Sequence, residues 1–503
     1  MQPLFSFRYS KQDSIYRLMQ FLSTFAGIQP FILMSAQNMS FNKITPSDID
    51  FFREVLPASF ILADEENIER CSSDNTEDFV FPPEIILQPA STEEVSKIMR
   101  YCNEHNIPVT PRGAGTGLSG GALPVHGGIC LDMRRMNKII SIDVDNFQVI
   151  TQPGIITEEL QNAIKEQGLF YPVDPASKGS CFIGGNVAEN SGGPRAVKYG
   201  TVKDYVLNLE IVLPDGEVIW TGANTLKNAT GYNLTQLIVG SEGTLAVVTQ
   251  IVLKLIPYPA ENLLMLVPFE IAEDAAKAVN KIMLSGHTPS ALEFMEKDAL
   301  TCAIHYSGSN VTVPENIQAH LLIEVDGNDK EVLFKEMENI SFLMEDFATG
   351  EILFAEDSEQ KNELWRLRRV VGEAVKHSSV YKEEDTVVPR SYLPELLHFV
   401  KKTGNKYGFK SVCYGHAGDG NLHVNIVKGD LSDEFWNEGL PVAIREIFEY
   451  VHSVKGTISG EHGIGYVQKP YMNIVFNEVQ MNLMRQIKQI FDPKGILNPG
   501  KIF

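Results

Sequence analysis

The chain has few cysteines, and they are scattered. Its 503 residues include 6 cysteines, and no two of them lie within three positions of each other. This spacing excludes a zinc ribbon, an iron–sulfur motif and a paired redox motif. It is typical of cysteines that act as small buried hydrophobic residues in a reducing compartment. The six are Cys71, Cys102, Cys130, Cys181, Cys302 and Cys413.

Long apolar runs and an excess of basic residues are also missing. No stretch reaches the roughly 18 consecutive apolar residues that a membrane-spanning helix needs. The 43 Lys and Arg residues stand against 64 Asp and Glu residues, which gives a formal charge of −21. This charge repels phosphate backbones and excludes nucleic acid as a partner. An anionic substrate would therefore need a local basic pocket inside an acidic surface.

Residues 1–40 differ from the rest of the chain. They include a single acidic residue, Asp13, but three basic ones, Arg8, Lys11 and Arg17. A basic leader that is poor in acids is typical of a targeting peptide, and that interpretation would place the protein in mitochondria. We favour the other interpretation, a poorly ordered extension ahead of a cytoplasmic protein, with peripheral membrane association left open.

The remaining chain predicts an α+β fold. Residues 91–94 form a capping box that opens a helix, which is expected to end near Asn106. Strand patterns occur at 139–144, 149–152, 207–213 and 245–255. Two prolines at 257 and 259 mark a boundary, after which strand and helix patterns alternate. The predicted segments are 1–40, 41–257, 258–455 and 456–503.

The first glycine-rich segment has a misleading pattern. Residues 115–120 match G-x-G-x-x-G, but a dinucleotide-binding Rossmann turn must open a helix, because the helix N-terminus holds the pyrophosphate. Pro124, Gly127 and Gly128 follow at once, and no helical pattern starts. We interpret residues 111–117 instead as a nest, in which successive backbone N–H groups wrap a pyrophosphate.

Two more small-residue segments, at 184–193 and 240–245, strengthen this interpretation. Small residues are needed where the backbone approaches a flat ring or a phosphate closely. We predict that both segments are loops and that, with the first, they line an extended groove for a large cofactor.

The three segments read P-R-G-A-G-T-G-L-S-G, G-G-N-V-A-E-N-S-G-G and V-G-S-E-G-T-L-A. Together they resemble the FAD domain of the vanillyl-alcohol-oxidase/PCMH superfamily, in its glycolate oxidase, D-lactate dehydrogenase and D-2-hydroxyglutarate dehydrogenase branch. The resemblance covers residues 80–503. It implies a PCMH-type FAD-binding domain of two subdomains at 41–257 and an α+β substrate (cap) domain at 258–455. The segment 456–503 should return to the FAD domain.

The resemblance also implies how the cofactor is held. Many relatives bond the flavin covalently to a histidine, but this chain has Gly115, Thr116 and Gly117 there. FAD is therefore expected to bind without a covalent link. The expected cofactor-binding residues are Arg112, Gly113, Ala114, Gly115, Thr116, Gly117, Leu118, Pro175, Gly179, Gly184, Gly185, Asn186, Asn190, Gly192, Gly193, Glu242, Gly243 and Asn498.

Two motifs near the carboxyl end concentrate histidines. In the first, His423 and Asn425 lie two apart in a strand pattern and so share a face, while a glycine turn folds His416 back towards them. The second holds Glu461 and His462. Two histidines and a carboxylate leave positions open for substrate on a divalent metal. By the resemblance, His416, His423 and Glu461 hold a zinc- or manganese-like ion, and His462 is the base.

The family pattern also assigns a clamp for the substrate carboxylate. Arg368, in a basic helical segment, and Lys382 match residues that grip it, and Asn425 is expected to orient the substrate. The hydroxyglutarate branch carries a threonine where Gly372 stands, which disfavours a dicarboxylate substrate.

We therefore predict an FAD-dependent dehydrogenase that converts a D-2-hydroxy acid, D-lactate or glycolate, to the 2-oxo acid. His462 takes the hydroxyl proton and the C2 hydride passes to flavin N5. Electrons must leave to an external acceptor, namely a quinone, a cytochrome or an electron-transfer flavoprotein. A homodimer is left open. The alternatives are a flavin-carrying subunit of a multi-subunit glycolate oxidase and an FAD transferase like alkylglycerone-phosphate synthase.

Overall fold

The first described part of the chain is built on a four-stranded sheet. The computed structural model describes residues 40–76 and 79–503, so the leader predicted at 1–40 lies outside them apart from Ser40. The strands are Ile61–Leu62 (β1), Ile85–Leu87 (β2), Val109–Arg112 (β3) and Ile129–Asp132 (β4), in the order β1-β2-β4-β3. The helices here are Pro46–Val55 (α1), Glu65–Ser72 (α2) and Thr92–His105 (α3).

Helix α3 begins at the predicted N-cap and supports this sheet, but the predicted capping box is only half formed, because the Glu94 carboxylate accepts the Ala90 amide rather than that of Ser91. The Ser91 side chain accepts a hydrogen bond from the Glu94 amide, and Asn106 ends the helix in the left-handed conformation with φ 52°. One apolar face, which includes Val95 and Ile98, is buried against the sheet. No helix follows β3 before β4, so the rejection of a Rossmann turn is confirmed.

A five-stranded antiparallel sheet follows, in the order β5-β6-β10-β8-β9, with β7 and β11 as a separate pair. Its strands are Ile139–Asp143 (β5), Gln148–Thr151 (β6), Leu169–Phe170 (β7), Val206–Val212 (β8), Val218–Trp220 (β9), Val247–Lys254 (β10) and Ile256–Pro257 (β11). Its helices are Thr157–Lys165 (α4), Ile183–Glu189 (α5), Ala196–Tyr199 (α6) and Leu234–Ile238 (α7).

Helix α5 corrects the prediction that residues 184–193 form a loop. Ile183 and Val187 are buried on one side of the helix. A Cβ at Gly184 would lie 2.4 Å from the Cβ of Pro153, so glycine is needed there for close packing. Glycine disfavours helices in isolation, and here tertiary packing outweighs that preference.

The third sheet has seven strands in the order β15-β12-β14-β13-β17-β18-β16. They are Glu261–Phe269 (β12), Ala291–Glu296 (β13), Ala319–Gly327 (β14), Leu353–Phe354 (β15), Tyr381–Val387 (β16), Lys410–His416 (β17) and Asn421–Val427 (β18). Its helices are Ala272–Leu284 (α8), Lys297–Ser307 (α9), Lys330–Met344 (α10), Ser358–Arg369 (α11), Val371–Ser378 (α12), Leu393–Tyr407 (α13) and Leu440–Ser453 (α14).

The two faces of this sheet differ in chemistry because side chains alternate along each strand. One face carries the large apolar core beneath α8, α10, α13 and α14. The other face packs partly against α9, α11 and α12, and it bears the buried polar residues of the site. These are Glu293 on β13, Asp385 on β16, His416 on β17, and His423 and Asn425 on β18, with the partly buried Glu383 on β16 beside them.

The carboxy-terminal segment returns to the first sheet, as expected. After the helices Met472–Val475 (α15) and Glu478–Phe491 (α16), the chain runs alongside β3. The Val109 amide donates to the Ile496 carbonyl at 2.8 Å, and the Asn498 amide donates to the Val109 carbonyl at 2.7 Å. The domain boundaries at 257/258 and 455/456 stay predictions. Across the residues that the structure describes, no helix is long and apolar enough to span a membrane.

The burial of His320 is expected to make the folded protein less stable in acid. It lies on β14, is 3% exposed, and its burial lowers its pKa to about 4. Between pH 6.5 and 4 the unfolded chain binds a proton that the folded state excludes. The free energy of unfolding therefore falls by about 3 kcal/mol as the pH falls through this window. Denaturant unfolding at a series of pH values should show that His320→Leu removes this loss. Parallel curves for the two proteins would contradict the assignment.

Candidate active site

One cavity of about 350 Å³ is lined both by the glycine-rich segments and by the carboxy-terminal motifs. The first segment, helix α5 and the loop around Glu242 form one part of its wall. Arg368, His416 and His423 form another part, together with Glu461 and His462. Regions far apart in sequence therefore meet around a single space.

The glycine-rich part of the wall is open to a flat or anionic group. Apart from their chain neighbours and the backbone of their own helix, no described residue has a heavy atom within 4 Å of a Cβ built on Gly117 or Gly185. The backbone at these positions therefore faces the cavity without a side chain in the way. The expected cofactor-binding residues in this wall are Arg112, Gly113, Ala114, Gly115, Thr116, Gly117, Leu118, Pro175, Gly184, Gly185, Asn186, Glu242 and Gly243.

Two expected cofactor-binding asparagines are not part of the wall. Asn190 caps α5 in the left-handed conformation, and its Oδ1 accepts from the Lys203 amide at 2.9 Å. The side-chain amide of Asn498 donates to the carbonyls of Gly121 and Glu242 at 3.0 and 2.8 Å. Both residues hold wall segments in place, and a contact of either one with the cofactor stays a prediction.

Three expected glycines also lie outside the wall. A Cβ at Gly193 would sit 2.5 Å from the Asp174 carbonyl oxygen, where φ is +128°. One at Gly192 would sit 2.8 Å from Glu461 Oε2. Gly179 has a side-chain oxygen of Glu158 at 3.4 Å from its built Cβ. Gly192 and Gly193 thus allow protein segments to approach each other closely. None of the three glycines lines the cavity.

The predicted ion ligands converge in the structure. Glu461 Oε1 lies 3.1 Å from His416 Nε2 and 3.5 Å from His423 Nε2. The ligand atoms of the three residues lie within 4.8 Å of one another. The donor set of two imidazoles and one carboxylate matches catalytic sites for zinc and similar ions. The described residues can therefore hold a divalent ion.

Strands β17 and β18 explain this convergence. Tyr414 pairs with His423, and the turn beyond them includes Gly420 at φ +84°. Leu422 and Val424 point into the apolar core, so His423 and Asn425 share the opposite face, as predicted. Asn425 is fully buried beside Glu383 on the paired strand and does not line the cavity, so no contact with substrate is shown for it.

Glu293 supports the cluster and was missed in the sequence. It lies on β13, and its carboxylate contacts His416 Nδ1 at 2.9 Å and Arg368 Nη2 at 2.7 Å. A carboxylate on the distal ring nitrogen fixes the tautomer that leaves Nε2 free for an ion. The only sequence signal was an acid within the apolar strand pattern A-L-E-F-M-E.

Asp385 holds the loop that carries Glu461 and His462. Its Oδ2 accepts hydrogen bonds from the amides of Gly460, Glu461 and His462 at 2.7, 2.8 and 2.9 Å. The Ser459 hydroxyl donates to the same oxygen at 3.0 Å. These bonds favour the charged carboxylate and, with the nearby histidines, outweigh its burial, so the pKa of Asp385 is lowered.

Burial and the acidic neighbours shift the pKa values of the two histidines in opposite directions. Burial disfavours charging His416, but Glu293 and Glu461 outweigh it and raise the pKa of His416 well above its usual value. Burial lowers the pKa of His423 to about 3, which keeps it neutral. Burial opposes ionisation of Glu461 as well, but chiefly His416 outweighs it and holds the pKa of Glu461 at about 2.

His462 contacts His423, whose ring also contacts that of His416. The rings of His423 and His462 stack with centroids 5.1 Å apart and an interplanar angle of 11°. Burial opposes the charged form of His462, yet Asp385 and Glu383 raise its pKa. His462 lines the cavity, so a cavity-facing imidazole stands beside the ion ligands.

The predicted carboxylate clamp is brought together only in part. Arg368 is 4% exposed and lines the cavity. Lys382 does not: alternation along β16 turns it to the opposite face of the sheet, where its Nζ lies 5.4 Å from the ring centre of Trp436. The structure therefore does not bring Lys382 together with Arg368 at the cavity. Arg369 and Lys376, which the sequence analysis did not assign, line the cavity instead.

We expect Lys382→Ala to leave the KM for an anionic substrate within about twofold of the starting protein. Its ammonium group faces the core side of the sheet, so its loss removes charge from a region away from the cavity. Steady-state kinetics of Lys382→Ala beside Arg368→Ala will check this. A large rise in KM for the Lys382 variant alone would contradict the placement of its side chain.

Two family models match the chain in succession. Residues 83–222 match a model described as an FAD binding domain. Residues 258–502 match the C-terminal domain of FAD linked oxidases. The D-lactate dehydrogenase of Anaerostipes hadrus is 38% identical over 467 residues, covering 92% of this chain and 98% of the relative. The chain belongs to the FAD-linked oxidase family.

Other relatives of this FAD-linked oxidase carry related names. Glycolate oxidase subunit GlcD of Bacillus subtilis (strain 168) is 38% identical, covering 88% of this chain and 93% of the relative. The D-2-hydroxyglutarate dehydrogenase of Stutzerimonas stutzeri is 31% identical, with 91% and 99% covered. Because residues 83–222 match an FAD binding domain, FAD is the cofactor of this FAD-linked oxidase, as the resemblance implied.

Solved structures share its fold. A p-cresol methylhydroxylase with substrate bound superposes with a TM-score of 0.75 at 18% identity, covering 90% of this chain and 96% of that one. An alkyldihydroxyacetonephosphate synthase gives a TM-score of 0.70 at 19% identity, with 96% and 92% covered. The predicted α+β fold of the PCMH type is confirmed.

Proposed function

We propose that this FAD-linked oxidase is a dehydrogenase that converts a short D-2-hydroxy acid, D-lactate or glycolate, to the 2-oxo acid. One observation carries the proposal: the glycine-rich wall, the ion ligands, His462 and Arg368 all line one cavity. The names of the relatives, D-lactate dehydrogenase and glycolate oxidase subunit, support the same chemistry.

FAD would be held without a covalent bond against the glycine-rich wall. The open backbone at Gly117 and Gly185 suits a flat ring or a phosphate, and the covalent histidine of many relatives is replaced by Gly115, Thr116 and Gly117. When bound, the flavin supplies the acceptor for two electrons and the hydride from C2 of the substrate.

His416, His423 and Glu461 would hold a zinc or manganese ion. The position of Glu293 supports this ligand set. Its carboxylate contacts His416 Nδ1 and so orients the ring with Nε2 towards Glu461. The ion, when bound, supplies a Lewis acid that lowers the pKa of the substrate hydroxyl.

The chain's own groups then bind and orient the substrate. Arg368 binds its carboxylate by a charge-assisted hydrogen bond, with the guanidinium held in place by Glu293. His462 accepts the hydroxyl proton as the C2–O bond becomes a carbonyl and the hydride leaves C2.

The wall near Gly372 favours a small substrate. A Cβ there would lie 3.0 Å from the Tyr414 hydroxyl, and the carboxylate of Glu383 lines the cavity close by. A second substrate carboxylate would meet this acid, so a monocarboxylate is favoured.

The test is a substrate panel with an artificial dye acceptor. The purified protein should be yellow and should reduce the dye with D-lactate or glycolate, faster than with L-lactate or D-2-hydroxyglutarate. Chelation should abolish this activity, and zinc or manganese should restore it. Full activity after verified ion removal would exclude the ion from the reaction. A flavin that no 2-hydroxy acid reduces would contradict the proposal.

A second candidate is a flavin-carrying subunit that is inert without partners, since one relative is named a subunit of glycolate oxidase. Rapid mixing of the isolated chain with substrate separates the two. Flavin reduction followed by dye reduction supports the independent dehydrogenase, whereas flavin reduction without turnover supports the subunit.

A further inference from the structure

The loop that carries Glu461 and His462 is held from two sides. On the side of the seven-stranded sheet, Asp385 accepts the amides of residues 460–462. On the other side, the amides of Tyr466 and Val467 donate to the Ser119 carbonyl in the first glycine-rich segment, at 2.8 and 3.0 Å. The loop is thus hydrogen-bonded both to the cofactor wall and to the sheet that bears His416 and His423.

Glu242 makes the central attachment on the cofactor side. Its Oε1 accepts from the Ile464 amide at 2.8 Å and its Oε2 accepts from the Gly465 amide at 2.6 Å. The residue is 6% exposed and has φ +53°, an uncommon conformation for a side chain of this size. Both carboxylate oxygens are therefore used on the loop.

Gly463 shows how closely the loop approaches this acid. A Cβ at Gly463 would lie 2.1 Å from Glu189 Oε2 and 3.2 Å from Glu242 Cδ, and its φ is +81°. Only glycine allows this conformation and this contact. The loop turns at the position where it meets the two acids of the cofactor wall.

We propose that Glu242 is a positioning residue for Glu461 and His462. The sequence analysis assigned it to cofactor binding, but its two carboxylate oxygens accept hydrogen bonds from the amides of Ile464 and Gly465, which follow His462 closely in the loop. Through them, Glu242 fixes the distance of the proposed base and ion ligand from the cofactor wall. The consequence for ion binding rests on the proposed function, whereas the consequence for the loop itself does not.

The variant Glu242→Gln tests this in the flavin-loaded full-length protein. Glutamine replaces one acceptor by an N–H₂ group that faces an amide N–H. Glu296→Gln is the matched control, because Glu296 is also buried and accepts a backbone amide, that of Cys413 at 2.8 Å, but does not line the cavity. The readouts are hydrogen exchange of residues 459–467 and the affinity for Mn²⁺ and Zn²⁺ after chelation.

Faster exchange across residues 459–467 and ion binding weakened by about 10- to 100-fold are expected for Glu242→Gln, with the flavin retained. The control should match the unmodified protein in both readouts. Gly463→Ala should give the same changes from the loop side, so the test does not depend on one variant folding well.

Two results would overturn the proposal. In one, Glu242→Gln loses flavin while loop exchange stays unchanged, which is the behaviour of a cofactor contact. In the other, loop exchange and ion affinity equal those of Glu296→Gln. If the unmodified protein binds no ion but Glu242→Gln still loosens the loop, the positioning role stands and the ion in the proposed function fails.

Discussion

Replacing His462 with glutamine is expected to slow flavin reduction by the 2-hydroxy acid by about 10²–10⁴-fold, the usual contribution of a general base. His462 lines the cavity beside the ion ligands and stacks on His423. Glutamine has similar reach but cannot accept the hydroxyl proton at neutral pH. Stopped-flow absorbance of the flavin measures this step directly, apart from reoxidation.

Flavin content and ion content should stay unchanged in this variant, because His462 is in neither proposed ligand set. His452→Gln is the matched control, since His452 is exposed on α14, and its rate should equal that of the unmodified protein. If His462→Gln reduces its flavin at a near-normal rate, another group takes the proton.

Glu293→Leu is expected to lower the free energy of unfolding by about 3–5 kcal/mol, the cost of leaving a buried charge without its partner. Glu293 is fully buried, and the Arg368 side chain beside it is 4% exposed. The substitution also frees Nδ1 of His416, so ion affinity should fall by about 10- to 100-fold. Denaturant unfolding and ion titration measure the two effects separately.

The double variant Glu293→Leu/Arg368→Met provides the control. With both charges gone, no unpaired ion is buried, so much of the lost stability should return while ion affinity stays low. A single variant as stable as the unmodified protein would contradict the charge pair as a structural element. A double variant that regains full ion affinity would remove Glu293 from the support of His416.

Short-range sequence patterns predicted the features of the fold that depend only on neighbouring residues. Ser91 caps α3, and His423 and Asn425 share a strand face, because capping and alternation act over a few residues. The side of the sheet on which Lys382 lies could not be predicted in this way, because Lys382 is one position from Glu383 and only the strand pairing decides which of them faces the cavity.

Contacts between distant segments could not be predicted. Glu293 reaches His416 across two paired strands, and nothing near Glu293 in sequence marks it as a partner. Helix α5 forms in a glycine-rich segment because Gly184 packs on Pro153, a contact that propensity alone disfavours. The motif residues were therefore recognisable, whereas the acids that hold them were visible only in three dimensions.

The pairing of Val109 with the chain near Leu497 fixes an order of events during synthesis. Strand β3 leads directly into the first glycine-rich segment, yet its Val109 amide is satisfied by Ile496, which is made much later. A nascent chain that has not yet reached residue 496 lacks this partner, although domains otherwise fold as they emerge. The cavity wall is therefore completed only after residues 496–498 have been made, and a deletion of these few residues would remove support from a cofactor site that begins almost four hundred residues earlier.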